Sequence, residues 1–473
     1  MRADRQSDLR GGLRRGIVAW LFGAAWMYMV SGAIFTRYAK LLNVSHFGFG
    51  LLATIPFIGA LIQLPASLVL ERYGRRREIF FWSALLHRML WLVIAGLPWL
   101  FPPSWQWAAL LVVLFISSLL ANIAGTAWMA WMGALVPGQI RGRYFSRRTQ
   151  LGQGVGLVLS FLCGLMLDWP EPGQQLFLRN IISTIFALAS VAGMIEILLF
   201  TKMPDGGPVV SHPSVTLRSL IAEPLADRNF RRFLGYAFTI TFATGFMGQF
   251  VWLYLFDVVG MSNNRANLLL VSIPLLVGMV SYPFWGRVVD RFGSKLALIA
   301  AGILVVNGGA AWAFVTQDHW IPAYLCSLLA TAAWAGMDIG GFNWLLRMSD
   351  GGERRRSNSA VVAINSVVLA VGGTLSGVFG GSVAQWLGDE WRMTVLGVPL
   401  TYHGVLFMTS ALLRVAAVGW LCTLQEPEGK MATRQALRYM VGSVYSNLLQ
   451  ATFFPARVLI RLASLSWKIP RSK

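Results

Sequence analysis

The feature that most constrains this chain is its division into apolar stretches about as long as a bilayer is thick. A helix needs about 20 apolar residues to cross the hydrocarbon core. Twelve stretches meet that length, at about 17–37, 46–70, 79–101, 107–136, 149–168, 180–201, 233–257, 266–286, 296–316, 320–346, 360–387 and 400–424. At this length only helices satisfy their backbone hydrogen bonds in lipid. Pro56, Pro65, Pro274 and Pro283 fall inside these spans, where proline is tolerated. The expected fold class is an all-α polytopic membrane protein. Composition agrees: 56% of the 473 residues are hydrophobic and 13% are charged, and mean hydropathy is +0.59. A soluble domain carries about 25% charged residues. Soluble globule, disordered chain, coiled coil and disulfide scaffold are thereby excluded.

The net charge of +20 is distributed in short clusters between the spans. If the N-terminus is cytoplasmic, 33 Lys and Arg fall in cytoplasmic segments and five in outer loops. That bias predicts both termini inside, in a bacterial-type inner or plasma membrane. It also accounts for the basic balance without nucleic acid. Cys163, Cys326 and Cys422 lie in apolar stretches, with no CxxC pair. The five histidines are dispersed, and there is no Walker loop, catalytic-triad spacing or HExxH. No cofactor, metal or enzymatic activity is expected. The partners expected are the lipid bilayer and an unidentified small molecule, with the chain a monomer. The first apolar run has no cleavage signal after it and reads as a retained span.

The longest loop between spans covers 202–232, with Pro204, Gly206, Gly207, Pro208 and Pro213. It divides the chain into a six-span unit at 1–201 and a second at 233–424. The tail, 425–473, mixes aromatic and aliphatic residues with Arg434, Arg438, Arg457, Arg461 and Lys468. It is too charged to span. Amphipathic helices at the lipid surface fit it, and so do helices packed on the cytoplasmic loops.

Two loops repeat. Residues 67–77 read SLVLERYGRRR and residues 286–295 read GRVVDRFGSK. Aligned on Gly74 and Gly293, both give an acid, Arg, an aromatic, Gly and then basic residues. A repeat at six-span spacing marks a duplicated transporter. Physically, an acid ending a helix can meet the dipole of a neighbouring helix or its arginines. Glycine permits the sharp turn into the next span. The second loop carries Gly286, Asp290, Arg291 and Gly293. The first carries Glu71, Arg72, Gly74 and Arg75, with Ser67 and Glu71 in place of Gly and Asp. Plain topogenic charge explains the arginines but not an acid at the same place in both copies.

This pattern resembles the major facilitator superfamily, whose loop signature is Gly-x-x-x-Asp-Arg-x-Gly-Arg-Arg. The resemblance implies twelve helices in two pseudo-symmetric six-helix bundles and substrate binding between them. It implies that these loops lock the bundles together on the cytoplasmic side. By pseudo-symmetry Glu71 would face the start of span eleven, with Arg354 and Arg356, and Asp290 the start of span five, with Arg141 and Arg143.

Four ionisable groups lie at membrane depth, where charge is costly and usually functional. They are Arg88, Glu196, Asp338 and Arg414. In the family, spans one, four, seven and ten line the cavity, so Asp338 ranks first for substrate or coupling-ion work. Its alternative is an acid buried against Arg414. Arg88 and Arg414 fall on peripheral helices and read as structural pairs or snorkelling groups, and Glu196 as reaching the headgroups. Asn122, Gln249 and Asn343 are the sparse neutral polar groups of the cavity helices. Trp128, Trp131 and Trp344 read as an interface belt, whereas Trp26 and Trp334 sit deeper and suit a flat substrate face. The function expected is secondary transport of a small molecule by alternating access, with proton coupling as one form. The alternative is a protein of the same fold that assists membrane-complex assembly without transport.

Overall fold

The computed structural model describes residues 2–204, 222, 224–350, 358–395 and 398–425. Most of the 202–232 loop, Arg354, Arg356 and nearly all of the tail fall outside them. Among the described residues, eleven helices are long and apolar enough to cross a membrane, and a bent pair makes the twelfth. The spans expected from sequence are thus present, with two kinds of difference.

The first difference is at the helix starts. Span five begins at Gly138 and span seven at Arg228, each earlier than hydrophobicity indicates. Their first turns are charged, so an apolar ruler misses them. Asp227 fixes the second of these starts, accepting from the backbone of Asn229 at 2.7 Å and Phe230 at 3.2 Å. Such a cap satisfies donors the first turn leaves free.

The second difference is irregularity inside spans. Span one breaks between Met29 and Ala33, and its two pieces, Gly11–Met29 and Ala33–Leu41, bend by 46°. A broken helix in a membrane must place its freed backbone groups elsewhere. Ala33 N–H finds Asn267 Oδ1 from span eight at 3.2 Å. Span eight contains a π-helical turn, Leu268–Ser272, just before Pro274. A short hairpin, missed by the hydrophobicity reading, joins spans eleven and twelve. Its strands, β1 (Met393–Val395) and β2 (Val398–Leu400), pair antiparallel with Met393 opposite Leu400.

The helix ends define two faces. The basic face carries Arg14, Arg15, Arg75–Arg77, Arg141, Arg143, Arg147, Lys202, Arg287, Arg291 and Lys295. The opposite face, called acidic here, carries Asp168, Glu171, Asp257, Asp318, Asp389 and Glu390 beside Arg37, Lys40, Arg179, Arg265 and Arg392. The apolar cores are distributed unequally between them. The largest cluster crosses between the bundles, joining Tyr38, Trp91, Leu97 and Phe186 to Phe250, Tyr254, Leu269 and Phe407. Nearer the basic face each bundle has its own cluster: Phe80, Trp131 and Phe200 in the first, Phe233, Trp285 and Trp344 in the second. The bundles are therefore welded toward the acidic face.

Polar contacts among the described residues also join the bundles at the acidic face. Asp168 accepts from Asn263 N–H (2.8 Å), Asn263 Nδ2 (2.7 Å) and Asn264 N–H (2.9 Å). Arg37 Nε donates to Asn263 Oδ1 at 2.6 Å, and Lys40 pairs with Asp257. His46 Nε2 lies 3.2 Å from Asp389 Oδ2, and its Nδ1 meets the Tyr402 hydroxyl at 3.2 Å. Spans two and eleven meet through glycines: a Cβ on Gly50 would lie 2.6 Å from Gly381 Cα. Small residues let membrane helices approach this closely.

Candidate functional site

A cavity of about 540 Å³ lies behind the acidic-face weld. It runs along span one from Trp20 to Phe35 and reaches Gln249 and Trp252 of span seven. That volume is in the range of small-molecule sites. Trp26 and Gln249, named from sequence, both line it.

Its wall holds a buried ion pair. Arg88 Nη2 donates to Glu196 Oε2 at 2.6 Å, and the side chains are 11% and 6% exposed. The guanidinium also stacks on Trp26, with Cζ 3.6 Å from the ring centroid. The helices are pinned together beside the pair, because Ser190 Oγ donates to Arg88 O at 2.6 Å. His87 shares a 2.7 Å hydrogen bond with Ser117 Oγ and lies edge-on to Trp26 at 5.0 Å. The family resemblance puts spans three and six at the periphery, but these two side chains reach the cavity. Glu196 does not extend to the headgroups as expected. It turns inward because Arg88 supplies its counter-charge there and because Gly23 of span one leaves room beside its carboxylate.

Arg148, in the first half of span five, is a second cation on the wall, and the sequence analysis did not single it out. Its Cζ stands 3.7 Å from the Trp20 ring centroid and 4.5 Å from that of Trp128. Trp128 therefore lines the cavity and does not belong to an interface belt. Trp131 and Trp344 are buried in the two cores, the first donating to Pro204 O at 3.2 Å and the second stacked on Phe233. A belt residue would face lipid, so these two readings also fail.

The other sequence candidates lie apart from this cavity. Asp338 is exposed and accepts from the Tyr282 hydroxyl at 2.8 Å. It is not paired with Arg414, whose guanidinium donates to Val305 O at 2.9 Å and approaches Met247 Sδ at 3.4 Å. Trp334 packs half-buried against the core of the second bundle. Asn122 accepts from Gln63 at 2.6 Å and donates to Ser118 O at 2.8 Å, while Asn343 bonds Ile339 O in its own helix at 2.9 Å.

At the basic face, Gly74 (φ +66°) and Gly293 (φ +94°) make the two turns of the repeated loops. Both conformations favour glycine. Arg75 lies 3.5 Å from Glu78 in its own bundle. Arg141 donates to Gly133 O at 2.7 Å and Val136 O at 3.3 Å, closing the end of span four. Arg143, Asp290 and Arg291 are exposed and Gly286 half-buried. The side chains of Glu71 and Arg72, like Arg354 and Arg356, lie outside the described residues.

The family model for the Major Facilitator Superfamily matches residues 17–350. The chain belongs to the major facilitator superfamily. Solved members of similar fold include a variant of the nucleoside transporter NupG, with TM-score 0.65 and 12% identity, covering 88% of this chain and all of that one. A D-xylose-proton symporter gives 0.63 at 18% identity, covering 89% and 99%. The xylose transporter XylE from E. coli, in an inward-open conformation, gives 0.62 at 16% identity, covering 90% and 98%. At these identities the likeness is one of fold. No curated protein sequence matches the chain. The superfamily fold agrees with the twelve-helix, two-bundle architecture inferred from the spans and repeated loops.

Proposed function

We propose that this superfamily member is a secondary transporter of a bacterial-type inner membrane, moving a small molecule by alternating access. The basic face is read as cytoplasmic, with both termini on that side. The observation that carries the proposal is the unequal joining of the bundles: one apolar core crosses between them toward the acidic face, while each keeps its own near the basic face. A cavity sits behind that weld. This is the arrangement expected of an inward-facing state. In it the repeated loops, with Glu71 and Asp290, are the gate that closes in the opposite state. Trp26 and Gln249 are the proposed substrate contacts. Asp338 with its Tyr282 partner is the proposed coupling-ion site.

The test of alternation needs no substrate. Ser31 is exposed and lines the cavity. In a background without the three native cysteines, Ser31→Cys should react with an impermeant thiol reagent from either side of the membrane. A control Arg143→Cys should react only from the cytoplasmic side. Ser31→Cys labelling confined to one side would remove alternating access. For coupling, Asp338→Asn should abolish uphill accumulation and spare downhill exchange. Full accumulation by the variant would exclude Asp338.

A further inference from the structure

We propose that the substrate is a monovalent organic anion, a carboxylate on a flat apolar body, whose head is held by Arg148. The inference rests on the transport reading above and names its substrate class.

The charges of the cavity wall do not cancel. Its ionised side chains are Arg88, Arg148 and Glu196. Glu196 is held by Arg88 at 2.6 Å, so one positive charge remains. Arg148 makes no hydrogen bond or ion pair with any described residue. Its contacts are the faces of Trp20 and Trp128, and Glu196 attracts it only through space. Stacking on rings offsets part of a cation's desolvation, but it uses the faces of the guanidinium and leaves its two terminal Nη groups free, while Nε is buried. Those two groups match a carboxylate in a two-pronged hydrogen bond.

The wall's carboxylate, Glu196, is already engaged by Arg88. A cationic ligand would meet a net positive wall without a free acid. A neutral ligand would leave Arg148 unpaired in a partly closed site, which is costly. The rest of the lining supports an apolar body: Phe35, Leu52, Ile55, Pro56 and Trp252.

A head-group series on one ring system tests this. The probes are 1-naphthylacetate, 2-(1-naphthyl)ethanol and 2-(1-naphthyl)ethylamine, with binding to the detergent-solubilised full chain followed by calorimetry. The carboxylate is expected to bind at least tenfold more tightly than the alcohol or the amine. Arg148→Gln should weaken carboxylate binding at least tenfold and leave alcohol binding unchanged, with Arg148→Lys in between. Alcohol or amine binding as tight as that of the carboxylate, no carboxylate binding to the wild type at millimolar concentration, or unaltered binding by Arg148→Gln would each overturn the proposal. The wild-type series stands by itself should Arg148→Gln fail to fold. The Ser31→Cys labelling is independent of the probes. Anion binding with one-sided labelling would sink transport and keep the site, and two-sided labelling with amine preference would do the reverse.

Discussion

Glu196 is the residue on which the inner wall of the cavity depends. Its carboxylate neutralises Arg88 where the two side chains are only 6% and 11% exposed. Removing one member of a buried pair leaves the other uncompensated, at a cost of about 3–5 kcal/mol. Glu196→Gln should therefore lower unfolding stability in detergent by about that amount. Replacing both partners by methionine should recover most of the loss, since no buried charge is then left unpaired. A Glu196→Gln protein as stable as the wild type would show that the pair contributes nothing. The sequence displays both charges at membrane depth but not their pairing, because the partners stand 108 positions apart on different helices. Periodicity tells which face a residue occupies on its own helix, and says nothing of which helix it meets. The same limit hid Tyr282 as the partner of Asp338.

At the scale of elements, two devices weld the acidic face. Asp168, at the end of span five, takes three hydrogen bonds from the start of span eight. Gly50 and Gly381 let spans two and eleven touch backbone to backbone. Asp168→Ala removes the acceptor for all three donors, and Gly381→Leu forces the helices apart. Both changes should raise the rate at which Ser31→Cys is labelled from the acidic side and lower it from the basic side. Unchanged labelling in both variants would mean that the weld lies elsewhere. The spans themselves were legible because lipid imposes one length and one periodicity on every helix. Their charged first turns were not, since Arg228, Arg231 and Arg232 extend span seven without adding hydrophobicity. The glycines at 373, 377 and 381 are visible in the sequence, yet only the packing shows that span two is what they receive. The hairpin of β1 and β2 is too short to signal itself.

For the whole molecule, transport by alternating access requires that the acidic-face weld be weak enough to open. The balance between inward-facing and outward-facing forms is a difference in free energy, and only contacts present in one form shift it. Lys40 and Asp257 join the bundles at the acidic face, and both side chains are partly exposed, at 32% and 41%. An exposed pair of this kind contributes about 0.2–1 kcal/mol, so its loss shifts the population by about fivefold at most. Lys40→Glu replaces this attraction by repulsion and should increase Ser31→Cys labelling from the acidic side by a few-fold. The swap Lys40→Glu with Asp257→Lys restores opposite charges across the bundles and should return labelling to the wild-type rate. High salt should shrink the difference between the single variant and the wild type, because exposed charges are screened. If the single variant labels like the wild type at low salt, the pair does not take part in the equilibrium. If the swap fails to rescue, Lys40 acts through packing and not through its charge.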